Sequence, residues 1–159
     1  MDLMLPTGRL YHHAYVVPDL EAAMDRLGEI FNMEWAPIAL RHHHVVAEGY
    51  EVNDVDFRLT YSTTGPPHIE LVEGVPGSIW PRPDEITFHH VGLWASDLRA
   101  DAQRFVDLGL PIVAHGTDEN GELARFTYHS NPYGPWIELV DPAVRDPFER
   151  WMQGEAFVT

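Results

Sequence analysis

Cysteine is absent from the 159 residues, and so is lysine: all ten basic residues are arginine. The first absence removes disulfides, thiolate nucleophiles, and zinc-finger or iron–sulfur ligation. It also fits a cytoplasmic protein. The second removes Schiff-base chemistry and a lysine-anchored pyridoxal cofactor. Positive charge is scarce: 25 acidic against ten basic residues give a formal net charge of −15, which argues against nucleic acid and anionic membrane surfaces as partners. No apolar run approaches the ~20 residues that cross a bilayer, and Met1-Asp2-Leu3-Met4 lacks the basic and apolar regions of a secretion signal. Catalysis, if any, falls to His, Asp, Glu, Tyr, Ser, Thr or a bound metal.

What is present is a repeat. His12 is followed by Ala14, Tyr15, Val16 and Val17, then Asp19-Leu20; His90 is followed by Val91, Leu93 and Trp94, then Asp97-Leu98. The His-to-Asp spacing is seven residues in both halves, and each half closes on Ile-Glu-Leu-Val, at 69–72 and 137–140. Between these landmarks the first half reads β-α-β-β-β. A strand at 10–17 precedes an amphipathic helix at 19–32 capped by Asp19, with Leu20, Ala23, Met24, Leu27, Ile30 and Phe31 at helical spacing. A strand or two follow within 34–46, then strands at 55–62 and 68–73. Gly74 to Asp84, rich in Gly and Pro, is the joint. The second half repeats the order, with a strand at 86–95, a helix at 97–108, and strands at 112–115, 123–129 and 135–140. A short final helix is expected within 141–152. Repetition at the half-domain level is a stronger guide to architecture than any single propensity.

Glu70 and Glu138 each lie between apolar neighbours in a strand. A carboxylate facing the interior of a sheet is costly unless a cation or several donors offset it. Either Glu alone is as readily explained as an outward residue of a half-exposed strand. Two at equivalent places in a repeat, matched by two histidines, favour a metal site built by duplication. Two imidazoles and two carboxylates suit a borderline divalent ion such as Mn, Fe, Co, Ni or Zn. The register leaves one alternative open: Tyr11-His12-His13 also aligns with Phe88-His89-His90, which would turn His13 inward instead of His12. The Asp-Leu helix starts favour His12 and His90.

With these stretches, Phe88-His89-His90-Val91-Gly92 and Asn131-Pro132-Tyr133-Gly134, the sequence resembles the vicinal oxygen chelate superfamily over roughly residues 10 to 141. That group includes glyoxalase I, methylmalonyl-CoA epimerase, extradiol dioxygenases and bleomycin-resistance proteins. The closest resemblance is to the glyoxalase I and methylmalonyl-CoA epimerase-like branch. It implies an α+β fold of two tandem βαβββ modules, about 8–74 and 85–141, forming an open cup-shaped mixed sheet with flanking helices in a single domain, and a C-terminal tail at 142–159. It implies one divalent metal held by His12, Glu70, His90 and Glu138, and, for many small members, a homodimer. The implied chemistry is isomerase, epimerase or lyase action through a metal-chelated enolate of a small substrate with adjacent oxygens. Glu138 is the expected base. Asp54 stands near where the epimerase branch carries a further Glu and is the expected second carboxylate, although its shorter side chain counts against a two-base mechanism. An Fe(II) extradiol-type dioxygenase and a non-catalytic, resistance-type binding protein are the alternatives.

Substrate-binding candidates are Arg58, Trp80 and Tyr61. Trp80, with Ile79, either covers the cup or seals the seam between modules. Tyr61, with Tyr15, Phe57 and Trp94, lines the cup if it faces inward. Arg58 stands with Arg9, Arg41 and Arg82 among the candidates for an anionic group, with no cluster evident. His42-His43-His44 reads as a solvated strand end. His115 and His129 lack repeat partners and read as structural or exposed.

Overall fold

The computed structural model describes residues 9–158, so Met1-Asp2-Leu3-Met4 and residue 8, the expected start of the first module, lie outside the described residues. The first half is β1 (Leu10–Val17), α1 (Leu20–Phe31), β2 (Ala39–Val46), β3 (Asp54–Tyr61) and β4 (His68–Glu73). The second is β5 (Thr87–Trp94), α2 (Leu98–Asp107), β6 (Ile112–Thr117), β7 (Leu123–His129) and β8 (Trp136–Val140). A 3-10 turn at Pro142–Val144 leads into α3 (Arg145–Met152). The fold is α+β with two βαβββ halves, as the repeat implies.

The two helix starts are near copies. Asp19 accepts from the Ala22 amide at 2.8 Å and Asp97 from the Ala100 amide at 2.9 Å, with cap φ values of −144° and −141°. Each cap satisfies one of the free amides of a first helical turn. The strands run in the order β1-β4-β3-β2-β6-β7-β8-β5 around a closed ring. β1 is parallel to β4 and β5 is parallel to β8, while β1 and β5 pair antiparallel at the pseudo-symmetric seam. The ring is more complete than an open cup. Val45 and Val46 of β2 pair with Gly116 and His115 of β6, closing the far side. Glycine is required at 116, where a Cβ would stand 2.8 Å from the Ala124 carbonyl oxygen.

Both faces of the Ile-Glu-Leu-Val strands are covered, which decides where the glutamates point. Leu71 packs outward with Val17 under Leu20 and Ala23 of α1. Leu139 packs outward with Leu93 under Leu98, Ala102 and Phe105 of α2. Alternation then turns Glu70 with Val72, and Glu138 with Val140, toward the interior. That interior is lined by Val55, Phe57, Leu59 and Tyr61 of β3 and by Phe126 and Tyr128 of β7. The C-terminal segment is not a loose tail. Phe148 and Trp151 of α3 are buried in the same core, and the Trp151 indole donates to the Pro37 carbonyl at 2.8 Å.

Candidate metal centre

His12 and His90 sit on the adjacent central strands β1 and β5, and Glu70 and Glu138 sit on the strands flanking them. Ala14 lies beside Glu70 in register, and Gly92 lies beside Glu138. These are the residues two after each histidine, so they share its face and are small enough to leave room. A Cβ at Gly92 would overlap the His12 ring.

The imidazole Nε2 atoms of His12 and His90 lie 3.0 Å apart. Glu138 Oε2 is 3.1 Å from His12 Nε2 and 3.2 Å from His90 Nε2. Glu70 Oε2 is 3.3 Å and 3.2 Å from the same two atoms. Among the described residues, the ligand atoms of His12, His90 and Glu138 all lie within 4.8 Å of one another, and Glu70 adds the fourth group through its contacts to both imidazoles. Both histidines are buried to 1% exposure or less. Ligands about 2.1 Å from a common ion stand about 3.0 Å apart at right angles and about 3.4 Å apart at tetrahedral angles, and the observed separations fall in that interval. Glu70 Oε2 is buried with no hydrogen-bond donor. An anionic oxygen left this way is costly, and a cation would satisfy it. The residues therefore fit a divalent ion. Of the two registers the sequence allows, the structure takes the one with His12 inward; His13 is half-buried beside Phe88.

Without an ion the four groups hold one another by charge. Burial opposes a proton on His90, but the carboxylates of Glu138 and Glu70 hold its pKa up at about 9. Burial likewise raises Glu138, and the charge of His90 with hydrogen bonds from both histidines outweighs it, so its pKa is lowered well below the carboxylate range. Behind the centre, His90 Nδ1 is 2.8 Å from His89 Nδ1, and His89 Nε2 is 2.8 Å from the Ile79 carbonyl oxygen. Burial, with the neighbouring His90, drives His89 down to about 3, so it is neutral.

Each glutamate has a tyrosine directly across the ladder: Tyr61 opposite Glu70 and Tyr128 opposite Glu138. Burial first, then the two carboxylates, push both phenols well above their usual pKa, so they remain hydroxyl donors. Tyr128 accepts a hydrogen bond from the Trp80 indole at 3.1 Å. A cavity of about 80 Å³ reaches Glu70 and Glu138 past Tyr61, Phe57, Trp80 and Phe126.

The structure thus brings together His12, Glu70, His90 and Glu138, and sets Trp80 and Tyr61 in the same cup. Two expectations need correcting. Asp54 points outward from the first residue of β3, 69% exposed and paired with His44 Nδ1 at 2.8 Å. Arg58 is also outward, bonded to Glu21 and, at 3.3 Å, to Glu73 beneath α1. Alternation explains both: Val55, Phe57, Leu59 and Tyr61 hold the inner positions of β3, leaving 54, 56 and 58 outside. Tyr15 likewise faces out, against the α1 cluster. His43, expected in solvent, lines the cup together with Arg41 and Arg125. The inward run Ala39, Arg41, His43, Val45 is a period-2 signal in which only the ends are apolar, so pattern alone misses it. His115 and His129 are structural, bonded to the Gly116 and Leu110 carbonyls.

Comparison with known proteins adds the family. A profile of the Glyoxalase/Bleomycin resistance protein/Dioxygenase superfamily matches residues 11–128. No curated protein sequence matches the chain. Among solved structures, a variant of Streptomyces coelicolor methylmalonyl-CoA epimerase in complex with 2-nitronate-propionyl-CoA is 20% identical, with a TM-score of 0.57 over 85% of this chain and 94% of that one. Methylmalonyl-CoA epimerase from Mycobacterium tuberculosis is 21% identical, with a TM-score of 0.55 over 90% and 95%. A hypothetical protein from Bacillus halodurans is 12% identical, with a TM-score of 0.57 over 84% and 93%. These likenesses are of fold. No helix among the described residues is long and apolar enough to cross a membrane.

Proposed function

Because the chain belongs to the Glyoxalase/Bleomycin resistance protein/Dioxygenase superfamily, we propose that it is a divalent-metal-dependent isomerase, epimerase or lyase acting on a small substrate with adjacent oxygens. One observation carries this reading: two buried imidazole nitrogens 3.0 Å apart, each 3.1 to 3.3 Å from two carboxylate oxygens, one of which has no hydrogen-bond donor. Two neutral imidazoles and two carboxylates balance a divalent charge and suit Mn, Fe, Co, Ni or Zn. An ion bound there supplies Lewis acidity to adjacent substrate oxygens. The fold likeness to methylmalonyl-CoA epimerases supports the epimerase-like branch.

In this reading His12, His90, Glu70 and Glu138 are the ligands, and Glu138 also takes the proton from a carbon beside a substrate carbonyl. The downward pull on its pKa comes first from the charge of His90, then from hydrogen bonds with His12 and His90. The Tyr61 and Tyr128 hydroxyls, kept protonated, are donors for negative charge that develops on the substrate. Trp80 walls the cup and excludes water. The outward position of Asp54 leaves no second base at that site, which favours proton transfer on one face over a two-base epimerisation that needs Asp54. The same reading treats 8–74 and 85–141 as modules of a single domain with 142–159 as its C-terminal segment. The lack of cysteine supports a cytoplasmic location, and the family resemblance supports a homodimer.

A second reading, an Fe(II) extradiol-type oxygenase, is favoured by the tight His12, His90 and Glu138 set, which is a two-His, one-carboxylate arrangement. Glu70 Oε2, 3.2 to 3.3 Å from both imidazoles, counts against it because it removes an open position. The test is elemental analysis of protein purified without chelators beside His90→Ala, followed by exchange of substrate α-protons in deuterated water with wild type and Glu138→Gln. About one metal per chain, lost in His90→Ala, with exchange lost in Glu138→Gln, is the expected result. Oxygen uptake with a catechol would favour the second reading. A chain that takes up none of the five metals would end both and leave a non-catalytic binding protein.

A further inference from the structure

The cup has a second pole. Arg41 and His43 of β2 and Arg125 of β7 line the same cavity as Glu70 and Glu138. Tyr61 and Tyr128 stand opposite the glutamates, whereas Arg41 is in register with Phe57, four residues further along β3, and Arg125 lies three residues along β7 from Tyr128. At about 3.3 Å per residue the basic pole is on the order of 10 Å from the metal level, a gap that two guanidinium side chains shorten further. Between the poles the wall is Phe57, Leu59, Trp80 and Phe126.

Three observations make this more than a chance of surface charge. First, the chain has 25 acidic residues for ten arginines, yet Arg125, in the cavity wall, makes no ion pair among the described residues, as is also true of Arg82 and Arg104 away from the cavity. Second, the two guanidiniums and His43 crowd one another: burial, then the charge of Arg125, lowers Arg41, and burial, then Arg41 and Arg125, lower His43 to about 4. Third, Arg125 adopts φ +73°, a left-handed conformation that glycine takes more cheaply. Arg41 is steadied by Phe157, whose ring lies 4.5 Å beneath its guanidinium.

We propose that the substrate carries a carboxylate at the end remote from the metal centre, held between Arg41 and Arg125, with a short apolar body against Phe57, Trp80 and Phe126. This rests on the proposed position of the reacting end at His12, Glu70, His90 and Glu138. Paired guanidinium forks match a carboxylate through parallel charge-assisted bonds. The cavity of about 80 Å³ suits a short apolar body between the two poles.

The test uses the full chain, metal-loaded and chelator-treated, with 3-methylbutanoate and 3-methylbutanamide as probes alike in shape and different in charge. Binding is followed by ligand-observed NMR titration. The acid is expected to bind at least about ten-fold tighter than the amide in both preparations, with that preference lost in Arg125→Gln and partly kept in Arg125→Lys. Equal affinity for acid and amide overturns the proposal, and so does an acid preference unchanged in Arg125→Gln. A preference abolished by chelation and indifferent to Arg125→Gln also overturns it, because the carboxylate then sits on the metal, and the metal-dependent reading survives. An Arg125-dependent preference in a chain that never takes up metal upholds the anion site while the metal-dependent reading fails.

Discussion

The Nδ1 atoms of His89 and His90 lie 2.8 Å apart, and this contact decides which nitrogen of His90 faces the centre. His89 Nε2 meets the Ile79 carbonyl oxygen at 2.8 Å and must donate to it. A neutral His89 then has only a lone pair at Nδ1, so His90 supplies the proton from its own Nδ1. In the neutral His90 that would hold a metal, Nε2 is then the bare lone pair beside Glu70 and Glu138. His89→Phe keeps a ring against Tyr128 and Trp136 but removes the acceptor. Metal affinity is expected to fall about 10- to 100-fold, read by competition with a chromophoric chelator. Unchanged affinity would mean that the strand alone orients His90.

Gly92 is no ligand, yet its substitution should empty the centre. The His12 ring lies where the Cβ of residue 92 would stand, and residue 92 is paired across the seam with residue 12. Gly92→Ala therefore forces the His12 imidazole away from His90 and the glutamates. The expected outcome is loss of bound metal together with about 1–3 kcal/mol of stability from overpacking. Elemental analysis and denaturant unfolding measure the two separately. A variant that retains its metal would show that the ring has another resting place.

The architecture and the four converging groups were legible because duplication made each weak signal appear twice. A lone Glu in an apolar strand is ambiguous; Glu70 and Glu138 in matching strands, each with Leu71 or Leu139 beneath a helix, leave only the interior. The basic pole was not legible for the opposite reason: it has no internal copy. Arg41 and Arg125 come from unrelated strands and converge only through ring closure at β2 and β6. Asp54 and Arg58 lie outside because Val55, Phe57 and Leu59 hold the inner face of β3, and the same alternation in the sequence sets Arg58 against them. His89 and Gly92 leave a trace in the sequence only as neighbours of His90.

Removing metal should cost stability in proportion to its affinity. The proposed ligands come from both halves of the ring, so an ion bound by them would tie β1 and β4 to β5 and β8. An ion that binds only the native state at about 100 times its Kd adds about 2.7 kcal/mol. Chelator treatment is expected to lower the thermal midpoint by several degrees. Readdition should restore it in wild type and leave His90→Ala unmoved. A midpoint indifferent to chelator in a protein that holds stoichiometric metal would place the ion outside this cluster.

His43 gives the cup an acid limit that is independent of the metal ligands. Its imidazole packs between Phe57 and Phe126, and burial first, then Arg41 and Arg125, lower its pKa to about 4 in the folded chain. An unfolded chain binds the proton near pH 6.5. The folded state therefore prefers the neutral ring, and its contribution is fully present above pH 6.5. As pH falls below 6.5 the unfolded state gains the proton first. The contribution is lost progressively until about pH 4, where the folded protein titrates as well. Between pH 7 and pH 5 the loss is about 2 kcal/mol at most. His43→Leu keeps the apolar contacts and has nothing to titrate, so its stability should fall less over that interval by about this amount. Urea unfolding of both proteins at pH 7 and pH 5 measures the difference. Equal losses would mean that water reaches the ring and that the two arginines do not bear on it.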